Sequence, residues 1–496
     1  MTKIFFYASW KQIYSFASRL NLIKYACVFL LCMIFLTIVC RRDTLISRIQ
    51  NSELYLQNLK DISHLRTLNR FSKEELNRAV LILTNNGTGH KNMEYDMKYS
   101  NPIPPWEHDY YENLYKPDYP ILFKKKMVQS INCAKIINGS HTEISRAKNL
   151  ENDYLTVLTP DYYEIKSQNC KRFLEDRQYI LDYLTDEELD FPIAYSIVIY
   201  KSVYQFERLL RAIYRPQNYY CVHADAKMSD DDVYALTSIL KCFNNVKLSS
   251  IYFDVKWGDF SVLGADLVCM KDLLEYKKWK YFINLTGQEF PLKTNAEIVK
   301  ILKSYKGAND VNVNLDQKSD WSKRWRNKGL PPNGITPYKG SVHIAVNRDF
   351  VEYAVTNETA ISLLKWLTNT SIPDETFFAT LNHNPSLGIR GSYGGTIQEK
   401  SKYTKGDMAR LKRWHYNGEC DTGKFVHQIC IISLDDLPSL VKRPEMFVNK
   451  LFWDYEHYAL DCLEEYLYNK TVDGYNGRTK FDSSEYSKLH FVQHAV

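Results

Sequence analysis

The sequence contains no Cys-x-x-Cys pair, no internal repeat, no large surplus of one charge and no Asp-x-Asp behind an apolar strand. Each absence excludes something. Sixty-four Lys and Arg against 58 Asp and Glu leave a net charge of +6 over 496 residues, so nothing argues for a nucleic-acid partner. Without clustered cysteines, a structural zinc site is not the reading for the eleven cysteines present. The sole formal Asp-x-Asp, Asp230 to Asp232, follows Ser229 at a helix start, where capping explains it. Long apolar runs are scarce too.

What is there begins with Tyr25 to Cys40, sixteen uncharged residues after a basic, acid-free segment and before Arg41-Arg42. At 1.5 Å per residue this run spans ~24 Å, and Lys24 can snorkel to bring Leu22 and Ile23 into it. The length suits a thinner membrane of the early secretory pathway. The long basic segment and the lack of a small-x-small site near residue 40 argue against a cleaved signal peptide. Basic residues flank both ends, so charge does not orient the span.

Sequons and cysteines orient it instead. Sequons occur at Asn86, Asn138, Asn284, Asn357, Asn369 and Asn469, all beyond the span. Asn284 lies in an apolar strand-like run and is not expected to be modified. Cys27, Cys32 and Cys40 belong to the span, leaving an even eight: Cys133, Cys170, Cys221, Cys242, Cys269, Cys420, Cys430 and Cys462. Eight scattered cysteines read as four disulfides in an oxidising lumen. Residues 43–83 are polar with scattered Leu and Ile and are expected to be helical; residues 85–120 read as a stem or linker.

The aperiodic region gives way to an α/β alternation. Pro192 to Tyr200 is an apolar, β-branched run, the pattern of a strand buried on both faces. Phe206, Leu209, Leu210 and Ile213 then mark a helix, which Pro216 ends. A second strand, Tyr219 to Val222, runs into His223-Ala224-Asp225. This βαβ unit implies a parallel sheet, and such sheets bind ligands at the carboxyl ends of their strands. Asp225 is therefore a candidate for a ribose or nucleotide hydroxyl, or else the cap of a turn. A capped helix after Ser229, strands at 245–251, 281–285, 342–346 and 429–432, and helices after Trp257 and from Asn295 continue the pattern. The expected architecture is a sheet with helices on both faces.

Four places can carry chemistry. Ser371-Ile-Pro-Asp-Glu reads as a helix start whose acids stabilise its positive end, and Glu375 is also a candidate base. Trp414 and Tyr416 can stack on a sugar or belong to the core. Lys450, a lone cation among apolar residues, is either a snorkelling surface lysine or an anion ligand. Without paired carboxylates, a nucleotide-sugar transferase would need Lys, Arg or His at the departing diphosphate instead of a metal.

These residues carry a family resemblance. Phe-Pro-Ile-Ala-Tyr-Ser-Ile-Val at 191–198, Leu-Leu-Arg-Ala-Ile-Tyr at 209–214, Pro-Gln-Asn-Tyr-Tyr-Cys-Val-His-Ala-Asp at 216–225, Cys-Met-Lys-Asp-Leu at 269–273 and Pro-Asp-Glu at 373–375 resemble the core-2/I-branching β-1,6-N-acetylglucosaminyltransferases, whose wider family includes peptide-O-xylosyltransferases. The resemblance runs from about Cys133 to Cys462. It implies a type II Golgi membrane enzyme with a metal-independent variant of the Rossmann-like glycosyltransferase A fold. Its cytoplasmic tail would be residues 1–23, its signal anchor 24–40, its stem 41–126 and its lumenal catalytic domain 127–496. Its partners would be a UDP-sugar and the O-glycans of glycoproteins. Glu375 matches the family's general base, Asp225 the uridine contact, Trp414 and Tyr416 the aromatics of the sugar pocket, and Lys450 one of two basic diphosphate ligands. The resemblance also implies the pairs Cys133–Cys462, Cys170–Cys242, Cys221–Cys269 and Cys420–Cys430.

The chain departs from the family at two places. His427 stands where the second diphosphate ligand is normally arginine, with Lys424 nearby. Residues 312–325, where relatives carry acceptor-binding Glu, Lys and Arg, align poorly. A different UDP-sugar (glucose or xylose) or acceptor, or a lumenal glycan-binding protein on a degenerate transferase scaffold, are the competing readings. Retention of Glu375 and Lys450 favours an enzyme.

Overall fold

The computed structural model describes residues 122–150, 157–313, 324–325, 328–395, 408–417 and 420–496. The expected tail, anchor and helix at 43–83, Asn86 and the expected stem up to residue 121 lie outside the described residues, while residues 122–126 at the end of that stem are described. Among the described residues no helix is long and apolar enough to cross a membrane.

Strand β1 (Ile193–Ile199) leads through helix α1 (Val203–Ile213) to β2 (Tyr219–Ala224), and helix α2 (Asp230–Leu240) leads on to β3 (Val246–Leu248). Helix α3 (Phe260–Leu273), β4 (Tyr281–Thr286), β5 (Glu289–Pro291), helix α4 (Asn295–Ser304), β6 (Asp310–Val313) and β7 (Gly340–Asn347) come next. The central sheet runs β3-β2-β1-β4-β7-β6. Its first four strands are parallel, while β7 pairs antiparallel with both β4 and β6. The sheet is thus mixed rather than wholly parallel.

Side chains alternate across it as a two-residue period requires. Tyr195, Ile197 and Ile199 of β1 and Tyr220, Val222 and Ala224 of β2 join one core with α1, α2 and α4. Ala194, Tyr219, Cys221 and Phe282 face a second core built from α3 and from helices α5 (Arg348–Thr356), α6 (Glu358–Leu367) and α7 (Asp374–Asn382). Helices therefore cover both faces, as expected. The four apolar residues that marked α1 are all buried. Ser229 accepts the Asp232 N–H and caps α2, so Asp230 to Asp232 are first-turn acids.

Two expectations need correction. The strand expected over 245–251 is in register with β2 over Val246–Leu248, with Asn245 C=O and Ser249 N–H still bonded to β2 at its two ends. It lies at the sheet edge and stops where Ser250 N–H turns to the Asp272 carboxylate. The strand expected over 429–432 is half of a hairpin, β9 (Phe425–Val426) with β10 (Ile429–Cys430); Ile432 instead bonds to Lys450 C=O. The hairpin stands apart from the sheet order. A second, three-stranded sheet joins β5, β11 (Phe447–Asn449) and β8 (Arg410–Lys412).

The long helix α8 (His457–Tyr475) closes the domain. The four bridges Cys133–Cys462, Cys170–Cys242, Cys221–Cys269 and Cys420–Cys430 are present, the pairing that the family resemblance implies. Of the sequons, Asn138 and Asn369 are exposed. The Asn357 side chain caps α6, and that of Asn469 exchanges two 2.8 Å hydrogen bonds with the Lys125 backbone. Asn284 is buried and donates to Asp266 and to Val342 C=O.

Candidate active site

β1, β2 and β4 end on one edge of the sheet, and the candidate residues gather around that edge. Asp225 follows β2 directly. Its Oδ1 accepts the Lys227 N–H at 2.9 Å, the turn-capping bond, and the Lys227 ammonium lies 2.8 and 2.9 Å from its two oxygens. Lys227 also reaches Asp254 at 2.7 Å. Asp225 is thus both a turn cap and one member of a charged cluster. A carboxylate so held keeps unused lone pairs for a hydroxyl donor.

The loop 252–259 runs alongside. Ala226 N–H donates to Phe253 C=O, and Phe253 N–H donates to the buried His223 Nε2, each at 3.0 Å. His223 accepts there as a neutral ring, its pKa lowered to about 3 by burial. At its far end the loop is tied to the segment before α7, where Ile372 N–H donates to Gly258 C=O at 2.8 Å. Gly258 has φ +79°, a conformation that side chains rarely adopt. The adjoining Trp257 lays its indole on the imidazole of His427, rings 5.5 Å apart and 6° from parallel. One loop therefore connects the end of β2, the start of α7 and the β9–β10 hairpin.

Pro373 precedes α7 in place of a side-chain cap, and Asp374 and Glu375 form its first turn. The two acids differ in environment. Asp374 is buried, one of its oxygens has no hydrogen-bond partner, and burial and then the Glu375 charge push its carboxyl up to about 7. Glu375 is half-buried and pairs with Arg324 at 2.8 Å, with Lys339 at 3.9 Å. Arg324 also donates to Ile372 C=O at 3.3 Å. Glu375 is reached by solvent and so can meet an acceptor hydroxyl, whereas Asp374 is buried beside it.

Lys450 follows β11 and is 8% exposed, so it does not snorkel to the surface. Its ammonium is lowered by burial, opposed by the charge of Glu289. Strand pairing sets Asn449 opposite Glu289 on one side and Lys412 on the other. Fully buried Glu289 accepts from Asn449 at 2.8 Å, from His343 Nε2 at 2.9 Å and from Thr286 N–H at 3.0 Å. Arg410 Nε lies 3.1 Å away as a close ion pair rather than an aligned hydrogen bond. Burial works to raise the Glu289 carboxyl, yet Arg410 and then His343 bring it down to about 2. Burial lowers His343 to about 4, which leaves Arg410 as the lasting countercharge at neutral pH.

His427 and Gln428 form the two-residue turn between β9 and β10, both with positive φ (50° and 65°), as a type I′ hairpin demands. Burial and then the charge of Lys450 lower the His427 pKa below its ordinary value. Lys424, at the base of the hairpin, rests its ammonium 4.3 Å over the Tyr455 ring. Trp414 pairs with Ile429 through the backbone, and its ring lies near-parallel to the exposed Tyr416, 5.8 Å away.

Asp225, Glu375, His427 and Lys450 thus lie along one connected rim, with Trp414 and Tyr416 beside the hairpin. Sequence reasoning missed Arg324, Trp257 and the Glu289 cluster. The basic-aromatic run Trp321-Ser-Lys-Arg-Trp325 was the signal for the first. Nothing in one sequence shows that Glu289 would meet Arg410 and Asn449.

The family model described as Core-2/I-Branching enzyme matches residues 193–441. A human β-1,3-galactosyl-O-glycosyl-glycoprotein β-1,6-N-acetylglucosaminyltransferase is 36% identical over 378 residues, covering 69% of this chain and 86% of its own. A bovine protein of the same name is 35% identical over 386 residues, 71% of this chain and 88% of its own. A mouse protein named as number 3 of that activity is 35% identical over 70% of this chain and 84% of its own. With an α/β domain whose candidate residues gather at the strand ends, and with relatives matched over most of their length, the chain belongs to the core-2/I-branching family of glycosyltransferases.

Proposed function

We propose that this enzyme transfers N-acetylglucosamine in β-1,6 linkage from a UDP-sugar to O-glycans of glycoproteins, as a single-pass type II protein of the Golgi membrane. In one inverting displacement the acceptor oxygen attacks the anomeric carbon, its proton passes to a Glu375 oxygen, and the bond to UDP breaks. Lys450 meets the departing diphosphate, and His427 adds charge only when protonated. Asp225 takes a uridine-side hydroxyl, Trp414 and Tyr416 flank the sugar, and no metal is required. The observation that carries this reading is the contrast within α7: a buried Asp374 beside a solvent-reached Glu375 paired with Arg324, on the rim that also holds Lys450.

The test is transfer by the purified full-length chain with EDTA present, using UDP-GlcNAc, UDP-glucose and UDP-xylose against a core-1 mucin disaccharide and other O-glycan acceptors. GlcNAc transfer unaffected by chelation is expected. Transfer of glucose or xylose alone would change the donor. A loss on chelation that Mn²⁺ restores would sink the metal-free mechanism. Binding of glycans without transfer from any donor would make the chain a glycan-binding protein.

A further inference from the structure

A cavity of about 730 Å³ lies away from the candidate site, among residues 125–130, α1 and α8. Its wall follows α1 and the residues just after it, from Tyr204 to Arg215, and none of Asp225, Glu375, His427 and Lys450 lines it. The charges on this wall do not cancel. Glu464 is engaged by Arg208 and Arg211, and Asp461 by Arg208 at 2.6 Å.

Three cations on this wall have no carboxylate pair among the described residues: Lys125, Arg215 and the exposed Lys126, whose ammonium donates to Gln129 C=O at 3.2 Å. Arg215 is 2% exposed, and among the described residues no carboxylate pairs with it. Its guanidinium donates to Tyr214 C=O at 2.6 Å and also hydrogen-bonds Tyr475, but its Nε has no hydrogen-bond partner. The Nε of Arg211 is likewise buried and unpartnered. The Lys125 ammonium lies 3.8 Å over the Tyr468 ring with no carboxylate partner among the described residues. Burial and then the charge of Arg211 lower its pKa to about 8, opposed by the Glu464 carboxylate, and a further anion between Lys125 and Arg211 would raise it. Buried donors without acceptors cost free energy that a ligand can return.

We infer that this cavity is a second ligand site, built for a sugar bearing phosphate or sulfate esters, whose anionic groups meet Lys125, Arg211 and Arg215 while its ring lies by Tyr468. The volume suits a mono- or disaccharide. Lysines and arginines outnumber carboxylates on this wall, which suits an anionic ligand, and ester oxygens accept from several N–H groups at once.

The experiment is calorimetric titration of the full-length chain, solubilised in detergent at low salt, with three probes: glucose 1,6-bisphosphate, a disulfated heparin disaccharide and a neutral disaccharide. Saturable binding of one or both anions is expected, weakened at least about tenfold in Lys125→Gln and unchanged in Glu375→Gln. Which anion binds more tightly separates the phosphate source from the sulfate source. Arg215→Gln should weaken binding similarly. If that buried substitution does not fold, half-exposed Lys125 still decides the matter. Failure of the parent to bind either anion, equal binding of the neutral sugar, or indifference to Lys125→Gln would overturn the proposal.

Discussion

Arg324 holds Glu375 at 2.8 Å and, through Ile372 C=O, also fastens the turn that starts the helix bearing it. The arginine therefore sets both the direction and the electrostatic setting of the proposed base. General-base assistance is worth ~10²–10⁴ in rate, so Glu375→Gln, which keeps the shape but cannot take the proton, should lower turnover at least about a hundredfold. Donor binding and thermal stability should change little. If Glu375 only stabilised the helix end, turnover would stay near normal and stability would fall by under ~1 kcal/mol. Steady-state kinetics with a melting curve separates the two.

His427 and Lys450 make a pH-dependent pair. The His427 pKa lies below its ordinary value, so its charge is present on the acid side and lost as pH rises through that lowered value. The ratio of parent to His427→Ala turnover should therefore grow from pH 7.5 to pH 5.5, and His427→Arg should flatten the profile. Lys450→Ala should be severe throughout, with kcat/KM down about a hundredfold or more. A mild Lys450→Ala with a severe Lys424→Ala would move the diphosphate contact to Lys424.

The Glu289 cluster is expected to act on stability. Glu289→Leu would leave the fully buried Arg410 without its countercharge, and breaking a buried pair costs about 3–5 kcal/mol. The denaturation midpoint should fall accordingly. A change below about 1 kcal/mol would mean that water reaches Arg410.

Asp374 gives the opposite sign. Its pKa of about 7, against 3.8 for an ordinary aspartate, means that the folded chain binds more protons than the unfolded chain between those values. Its contribution to stability is thus lost as pH rises from about 4 to about 7. Asp374→Asn should leave stability near pH 4 little altered and raise it at pH 8 by on the order of 1–3 kcal/mol. Equal effects at both pH values would show that the carboxyl is charged throughout.

The fold was largely legible because its signals are local. The apolar run at 193–199 and the helical spacing from Phe206 to Ile213 report burial within a few residues of themselves. The strand at Val246 was overdrawn, since an edge strand ends where partners run out and not where its composition changes. Glu375 and Lys450 were legible through motif and resemblance. Arg324 and Trp257 were not, because their partners lie 51 residues on at Glu375 and across the fold at His427. Such contacts are made by the sheet, and periodicity does not encode them.

The Cys133–Cys462 bridge spans 329 positions of sequence, and every strand from β1 to β11 lies between its ends. The catalytic domain is therefore a covalent ring. A protease that cuts one peptide bond anywhere from residue 134 to 461 produces no separate fragment, only an opened ring of unchanged mass apart from one added water. On a gel the nick stays invisible until thiol is added, so intact migration under nonreducing conditions says nothing about the continuity of this chain.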